Sequence, residues 1–342
     1  MVSVALRLVE LTLPVGNDKL VDEVLEGLRV EEKWVLKISD DRTMYRILVP
    51  WGASGPLIDG FTKRFGNIDG YRIMVHSIAA SIPGPKDEET PRDQKSRLKD
   101  VIVRRIGRIS REELYLGTSD ATMLTYVYLA TVALSVIVAA IGLAESNIVM
   151  IIGAMVISPL LGPSMALSMA TTVADVKLAM VSIRTLVISI ALATTLSLIM
   201  GYYLSVDPTI PEIASTTNVG LSDICVALAS GSAGALFLTI GFSTALVGVM
   251  VAVSLLPPLV TFGLLIGVGE FDLALDAALL FATNLICINL SGVLTFVAQG
   301  VRPRSWWEAD KAKTLTIWAI VIWCVLLALL TMLIVLWGGF DF

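Results

Sequence analysis

The chain has 342 residues, of which 56% are hydrophobic and 16% charged, with a formal net charge of −5. Residues 1–120 hold 19 of the 25 Lys and Arg and 19 of the 30 Asp and Glu, leaving 6 basic and 11 acidic residues for positions 121–342. This excludes a uniformly water-soluble chain and marks the second part as membrane-embedded, because an apolar run of about 18 residues can cross a bilayer core of roughly 30 Å.

In chain order, residues 2–13 (VSVALRLVELTL) alternate well enough for a strand that ends at Pro14–Asn17. Arg7 and Glu10 interrupt the apolar stretch and no small-residue cleavage site follows, so it does not read as a secretory signal. The first spanning helix is therefore expected to insert the protein. Asp18–Leu28 places Leu20, Val21, Val24, Leu25 and Leu28 at helical spacing, with Asn17 or Asp18 as N-cap. Strands over Lys33–Ser39 and Tyr45–Pro50 are expected to meet in a turn at Asp40-Asp41-Arg42. A helix over Gly55–Phe65 and a strand over Tyr71–Ala79 complete a βαββαβ order, the ferredoxin-like or split βαβ pattern. That fold serves many functions and settles none.

Little chemistry stands out in this first domain. His76 is the single histidine, and strand alternation turns it toward solvent. Trp51–Pro56 (WGASGP) reads as an ordinary glycine-containing strand-to-helix loop, matching neither the Walker pattern nor GxGxxG. Residues 81–96 form a polar, proline-containing linker. The segment from Arg97 to Ser119 is basic, and Ser110–Glu113 fits a capping box that starts a short helix. A basic segment ahead of a span marks the cytoplasmic surface and can touch anionic lipid. The expected domains are residues 1–82, a linker and basic juxtamembrane helix over 83–120, and a membrane domain over 121–342.

Seven spans are expected, at 122–143, 147–172, 179–204, 220–240, 242–268, 274–299 and 314–338. With the soluble domain inside, all six basic residues after position 120 (Lys177, Arg184, Arg302, Arg304, Lys311, Lys313) fall in inner loops, as the positive-inside rule requires. This puts the C-terminus outside, in a cell-membrane protein. No charged loop separates the fourth and fifth spans.

Gly153–Pro163 (GAMVISPLLGP) and Gly248–Pro258 (GVMVAVSLLPP) align without gaps 95 residues apart, with six of eleven positions identical. The motif falls on the second span of each half, over 122–204 and 220–299. Three spans per half force the halves into opposite orientations, the inverted-repeat plan of many secondary transporters. Pro159 and Pro163, and Pro257 and Pro258, are expected to break their helices. The freed carbonyls must then be met by neighbouring helices, by Ser158, Ser164 or Ser254, or by a polar cavity. Asn284 and Asn289 on the sixth span pair at the same offset with Ser189 and Thr194 on the third. Gly153, Gly162, Gly231, Gly234 and Gly248 are expected to allow close helix packing. No ionisable residue is expected at a bilayer centre, which argues against a carboxylate proton relay.

Three cysteines (Cys225, Cys287, Cys324) lie far apart in expected spans, indicating neither a disulfide framework nor a zinc site. The expected spans also lack HExxH, DxxD and any Ser/His pair, so an enzyme is not expected and no cofactor is indicated.

Ser110–Leu114 (SREEL), Ala139–Leu143 (AAIGL) and the two proline-ended motifs together resemble the domain-of-unknown-function 389 membrane proteins, the uncharacterised hydrophobic domain family. The resemblance covers roughly residues 110–300, with GAMVISPLLGP its most specific stretch. It implies a hydrophobic domain, often beside a soluble one, and no assigned reaction. The reading is a transporter or channel for a small solute or ion, with Ser158, Pro159, Pro163, Ser164, Ser254, Pro257, Pro258, Asn284 and Asn289 along the pathway. The soluble domain would regulate it or assemble subunits into a homo-oligomer. Membrane lipid is an expected partner and nucleic acid is not. The alternative is a membrane-anchored sensor whose soluble domain binds a ligand.

Overall fold

A computed structural model describes residues 6–78, 111–204, 206–217, 220–241, 254–301, 317, 320–332 and 334. The linker over 81–96, the basic residues before 111, the Ser110 cap, Gly248–Val253 and the 302–313 loop lie outside the described residues. The chain divides into two compact units, Met1–Arg111 and Glu112–Phe342.

In the first unit, β1 (Leu6–Pro14), α1 (Asp18–Leu25), β2 (Glu32–Lys37), β3 (Arg42–Pro50), α2 (Trp51–Phe65) and β4 (Arg72–Ser77) follow one another. The four strands form one antiparallel sheet in the order β2-β3-β1-β4. Strand alternation sends Val9, Leu11, Leu13, Tyr45, Ile47 and Val49 to one face, where they pack on Val21, Leu57, Phe61 and Phe65 from the helices. Each such large side chain contributes about 1.5–3 kcal/mol by leaving water. Tyr45 ends this core with a polar handle, its hydroxyl donating to Asp18 at 2.8 Å. Burial, with that bond, pushes its pKa up.

The opposite sheet face is charged. Glu10, on the central strand, is buried between Arg46 at 2.7 Å and His76 at 3.4 Å. His76 faces outward, as alternation predicts, with its side chain 52% exposed. Asn17 occupies the N-cap of α1, yet its amide turns back to donate to Pro14 O rather than capping the helix. The loop expected at 51–56 is instead the opening of α2, which starts directly after β3. Ala53 packs on the core and Ser54 is buried, which offsets the poor helix propensity of Gly52, Gly55 and Pro56.

The second unit is helical: α3 (Arg111–Asp120), α4 (Tyr126–Ala144), α5 (Ile148–Ile157), α6 (Leu161–Val173), α7 (Val176–Leu204), α8 (Pro211–Ala214), α9 (Leu221–Ile240), α10 (Leu256–Val268), α11 (Phe271–Ala298) and α12 (Ile320–Met332). Among the described residues, α4, α7, α9 and α11 are long and apolar enough to cross a membrane. The pair α5 and α6, bent by 50° at their break, counts as a fifth span if taken together. Seven spans were expected. The fifth is represented by the 13 residues of α10 and the seventh by α12, since 242–253 and most of 302–319 lie outside the described residues.

Caps set several of these starts. Thr125 Oγ1 accepts from Tyr128 N, Asn147 Oδ1 from Met150 N, and Asp175 Oδ1 from Lys177 N and Leu178 N. The starts of α4 and α9, of α6 and α10, and of α7 and α11 are each separated by the same 95 positions. So are the left-handed residues that end helices or begin turns: Ser146 with Gly241, and Ala174 with Gly269. The packing is reciprocal, with α10 lying along α7 and α6 along α11.

Small residues let these helices approach. A Cβ on Gly263 would overlap Ser197 Oγ, one on Gly267 or Gly201 would strike the facing backbone, and one on Gly231 would meet Ser291 and Ile288. Gly231 thus packs as expected. Gly153 does not, since nothing lies within 4 Å of its missing side chain, and Gly248 lies outside the described residues. Around this frame the surface is apolar: Val127, Val149 and Val187 are 73%, 79% and 58% exposed. The interior holds Ser135, Ser164, Ser168, Thr185, Ser189 and Asn289 fully or almost fully buried.

Candidate functional site

The prolines begin helices rather than kink them. Pro163 is the third residue of α6, and Pro257 and Pro258 are the second and third of α10. In a first turn the backbone N–H has no intrahelical partner, so proline there deprives no carbonyl. This corrects the expectation of stranded carbonyls behind Pro163, Pro257 and Pro258. Pro159 holds the first break open: Ser158 before it is extended, with ψ 122°, as a residue ahead of proline favours.

The expected pathway residues separate into two groups. The first is a closed network between α6 and α11. Asn289 Nδ2 donates to Ser164 Oγ at 3.0 Å and to Leu285 O, while Ser168 Oγ reaches Asn289 O and Oδ1 at 3.2 Å. Ser164, Pro163 and Asn289 are buried here, and Gly292 lets Ser168 approach α11 closely. Ser158, in the break before α6, is buried with no partner for its hydroxyl among the described residues.

The second group lines a cavity of about 340 Å³. Ser254, Pro257, Pro258 and Asn284 form one part of its wall, and Leu143, Ile151, Met155 and Leu280 the apolar part. Asn284 Nδ2 donates to the Ser254 carbonyl at 2.7 Å, which satisfies the backbone just before α10. Asn284 Oδ1 and Ser254 Oγ are buried with no partner among the described residues.

Glu212, Ser215, Thr216 and Asp223 also line it, and none of them is among the expected pathway residues. The segment 206–217 folds inward: Ile213 is fully buried in the helical core, and Thr216 Oγ1 donates to Thr261 on α10 at 2.9 Å. Ser146 Oγ donates to Glu212 at 2.6 Å, and Asp223 accepts from Gly220 N at the start of α9. No local pattern signals this infolding; the run Ile210–Ala214 is the one apolar hint.

The positions paired with the asparagines behave differently. Ser189 Oγ lies 2.8 Å from the Tyr128 hydroxyl, and Thr194 Oγ1 is buried with no partner among the described residues at the crossing of α7 and α10. Outside the spans, the Tyr115 hydroxyl donates to Asp175 at 2.7 Å, joining α3 to the start of α7. Burial pushes the Asp175 carboxyl up, but the bonds from Tyr115, Leu178 and Lys177 outweigh it and hold its pKa below the usual range.

An apolar exterior around a hydroxyl-rich, closely packed helical interior defines a protein with membrane-type helices, in a chain that also holds a small antiparallel sheet unit. The family model for the domain of unknown function DUF389 matches residues 155–290, which include both helix starts with proline and both asparagines. An uncharacterized protein of Methanocaldococcus jannaschii is 35% identical over 331 residues, covering 96% of this chain and 99% of that protein. The chain belongs to the DUF389 family. No solved structure matches it.

Proposed function

We propose that the protein is a membrane transporter or channel for a small solute or ion, built as an inverted repeat with a regulatory or assembly domain. The observation that carries this reading is the cavity at the start of α10, lined by Asn284 and Ser254, whose Oδ1 and Oγ are buried with no hydrogen-bond partner among the described residues. A helix that begins inside a membrane domain beside such a cavity is a common way to build a solute site. The 95-residue recurrence of helix starts and left-handed residues, with α6 on α11 and α10 on α7, supports two equivalent halves. Three spans in each half, with seven in all, would invert one half relative to the other and place the N-terminal unit in the cytoplasm.

The sheet order β2-β3-β1-β4 with a helix in each βαβ half supports a ferredoxin-like first domain. Small domains of this kind assemble or regulate a neighbour, and a homo-oligomer fits that role. Flux in proteoliposomes tests the whole reading. Pro258→Ala is expected to change flux more than thermal stability, and loss of folding alone would count against the site. Deleting residues 1–96 is expected to alter flux while the bundle still inserts; unchanged flux would remove the regulatory role.

A further inference from the structure

We propose that the cavity beside α10 is a binding site for a monovalent alkali cation, coordinated by Asn284 Oδ1 and Ser254 Oγ with Glu212 and Asp223 supplying negative potential. This rests on the transport reading and names its substrate class. The donation from Asn284 Nδ2 to Ser254 O fixes the amide, so the free atom is Oδ1, which can only accept. Asn284 and Ser254 are 4% and 7% exposed, and both line the cavity. A buried acceptor left without a donor costs about 1–3 kcal/mol, which a bound cation returns.

The charge around the cavity points the same way. Two half-buried carboxylates line it, and among the described residues no Lys, Arg or His does. The N-terminus of α10 also faces it, and a helix N-terminus ordinarily favours anions. Here Pro257 and Pro258 remove two of the backbone donors an anion would use. The start of α9 is likewise occupied by Asp223, which accepts from Gly220 N. What remains is a largely apolar wall whose charged groups, among the described residues, are carboxylates.

The donor set selects among cations. The deepest ligands are a neutral amide and a hydroxyl, whereas Ca²⁺ and Mg²⁺ sites draw on carboxylates. Among the described residues no three His, Cys, Asp or Glu side chains come together to hold a metal, which disfavours zinc and other transition metals. The cavity is several times the volume one water needs, so the ion keeps part of its hydration shell.

The test is thermal unfolding of the purified full chain in detergent, titrated with NaCl or KCl against N-methyl-D-glucamine chloride at constant ionic strength. Sodium or potassium is expected to raise Tm saturably. Ser254→Ala keeps the carbonyl that Asn284 holds and should raise the half-saturating concentration about fivefold, the worth of one hydrogen-bond-strength ligand. Glu212→Gln keeps the bond from Ser146 and should raise it about threefold through lost charge. Equal Tm in all three salts, or a rise unchanged in both variants, would overturn the proposal. So would a rise that follows the anion or appears only with calcium or an organic ammonium. Proteoliposome flux separates this from the broader reading: selective cation binding without flux keeps the site and removes transport. Flux of an uncharged solute without cation binding does the reverse.

Discussion

In the N-terminal unit Val9, Leu11, Tyr45 and Phe61 lie inside, while Lys37, Arg46 and His76 face out. In the helical unit the arrangement turns over: Ser164, Ser168, Thr185 and Asn289 are inside, and Val127, Val149 and Val187 are outside. The first unit is organised by water, which drives apolar area inward. In the second, the outward faces are apolar, as in helices that meet hydrocarbon, where that force is absent between helices and close contact of small residues and interhelical hydrogen bonds hold a bundle together. Burial has no fixed chemistry. What is buried depends on which solvent is being excluded.

The largest expected effect falls on the water-organised core. Phe61→Ala should cost about 3–5 kcal/mol through lost burial and a cavity. Amide exchange across β1 and β3 should accelerate while α4 and α7 keep their protection; equal loss in both units would break the comparison. Next comes the apolar exterior. Val187→Arg, near the middle of α7, should cost about 2.5–3.5 kcal/mol in insertion. A glycosylation-based insertion assay that finds no penalty would show that this face does not meet lipid. Gly263→Leu should cost about 1–3 kcal/mol by forcing α10 away from Ser197 on α7. Gly153→Leu should stay near neutral, and detergent-denaturation midpoints for the pair measure the contrast. The smallest effect is at the bundle's wet edge. Asp175→Ala should cost about 1 kcal/mol as a lost helix cap. Because the folded pKa of Asp175 lies below its ordinary 3.8, its contribution is present above that value and fades as pH falls through the folded pKa. A wild-type advantage over Asp175→Ala that does not shrink under acid would contradict this.

Much of the first unit was legible because strand alternation reports one buried face directly: His76 outward and Ile73 and Val75 toward the core follow from a period of two. The start of α2 was not, because Gly52, Gly55 and Pro56 argue locally for a loop. Packing of Ala53 and burial of Ser54 decided otherwise. In the helical unit, the proline-ended motifs located the helix starts but not their consequence. Whether Pro163 and Pro258 strand a carbonyl depends on which turn they occupy, and the first turn makes them harmless. The candidate site was half legible. Ser254, Pro257, Pro258 and Asn284 were singled out and converge on one cavity; Ser164 and Asn289 belong to a closed network elsewhere. Glu212 escaped notice because a loop carboxylate carries no mark of where its loop will fold, and Asp223 because in the first turn of α9 it reads locally as part of a helix start.

By itself the sequence determined the division into a charged sheet-forming unit and an apolar helical one, the 95-residue recurrence and the positions of the helix breaks. Each is written in local composition, periodicity or spacing. Only the tertiary structure decided which polar residues share a cavity, which glycines bring α7 and α10 together, and that Asn284 leaves its oxygen free while Asn289 does not. Those outcomes depend on residues far apart in the chain: Asn284 on Ser254, Asn289 on Ser164 and Ser168, Gly263 on Ser197. Hydrogen bonds and steric contacts act over a few ångströms in space, and sequence distance does not encode that proximity until the helices pack.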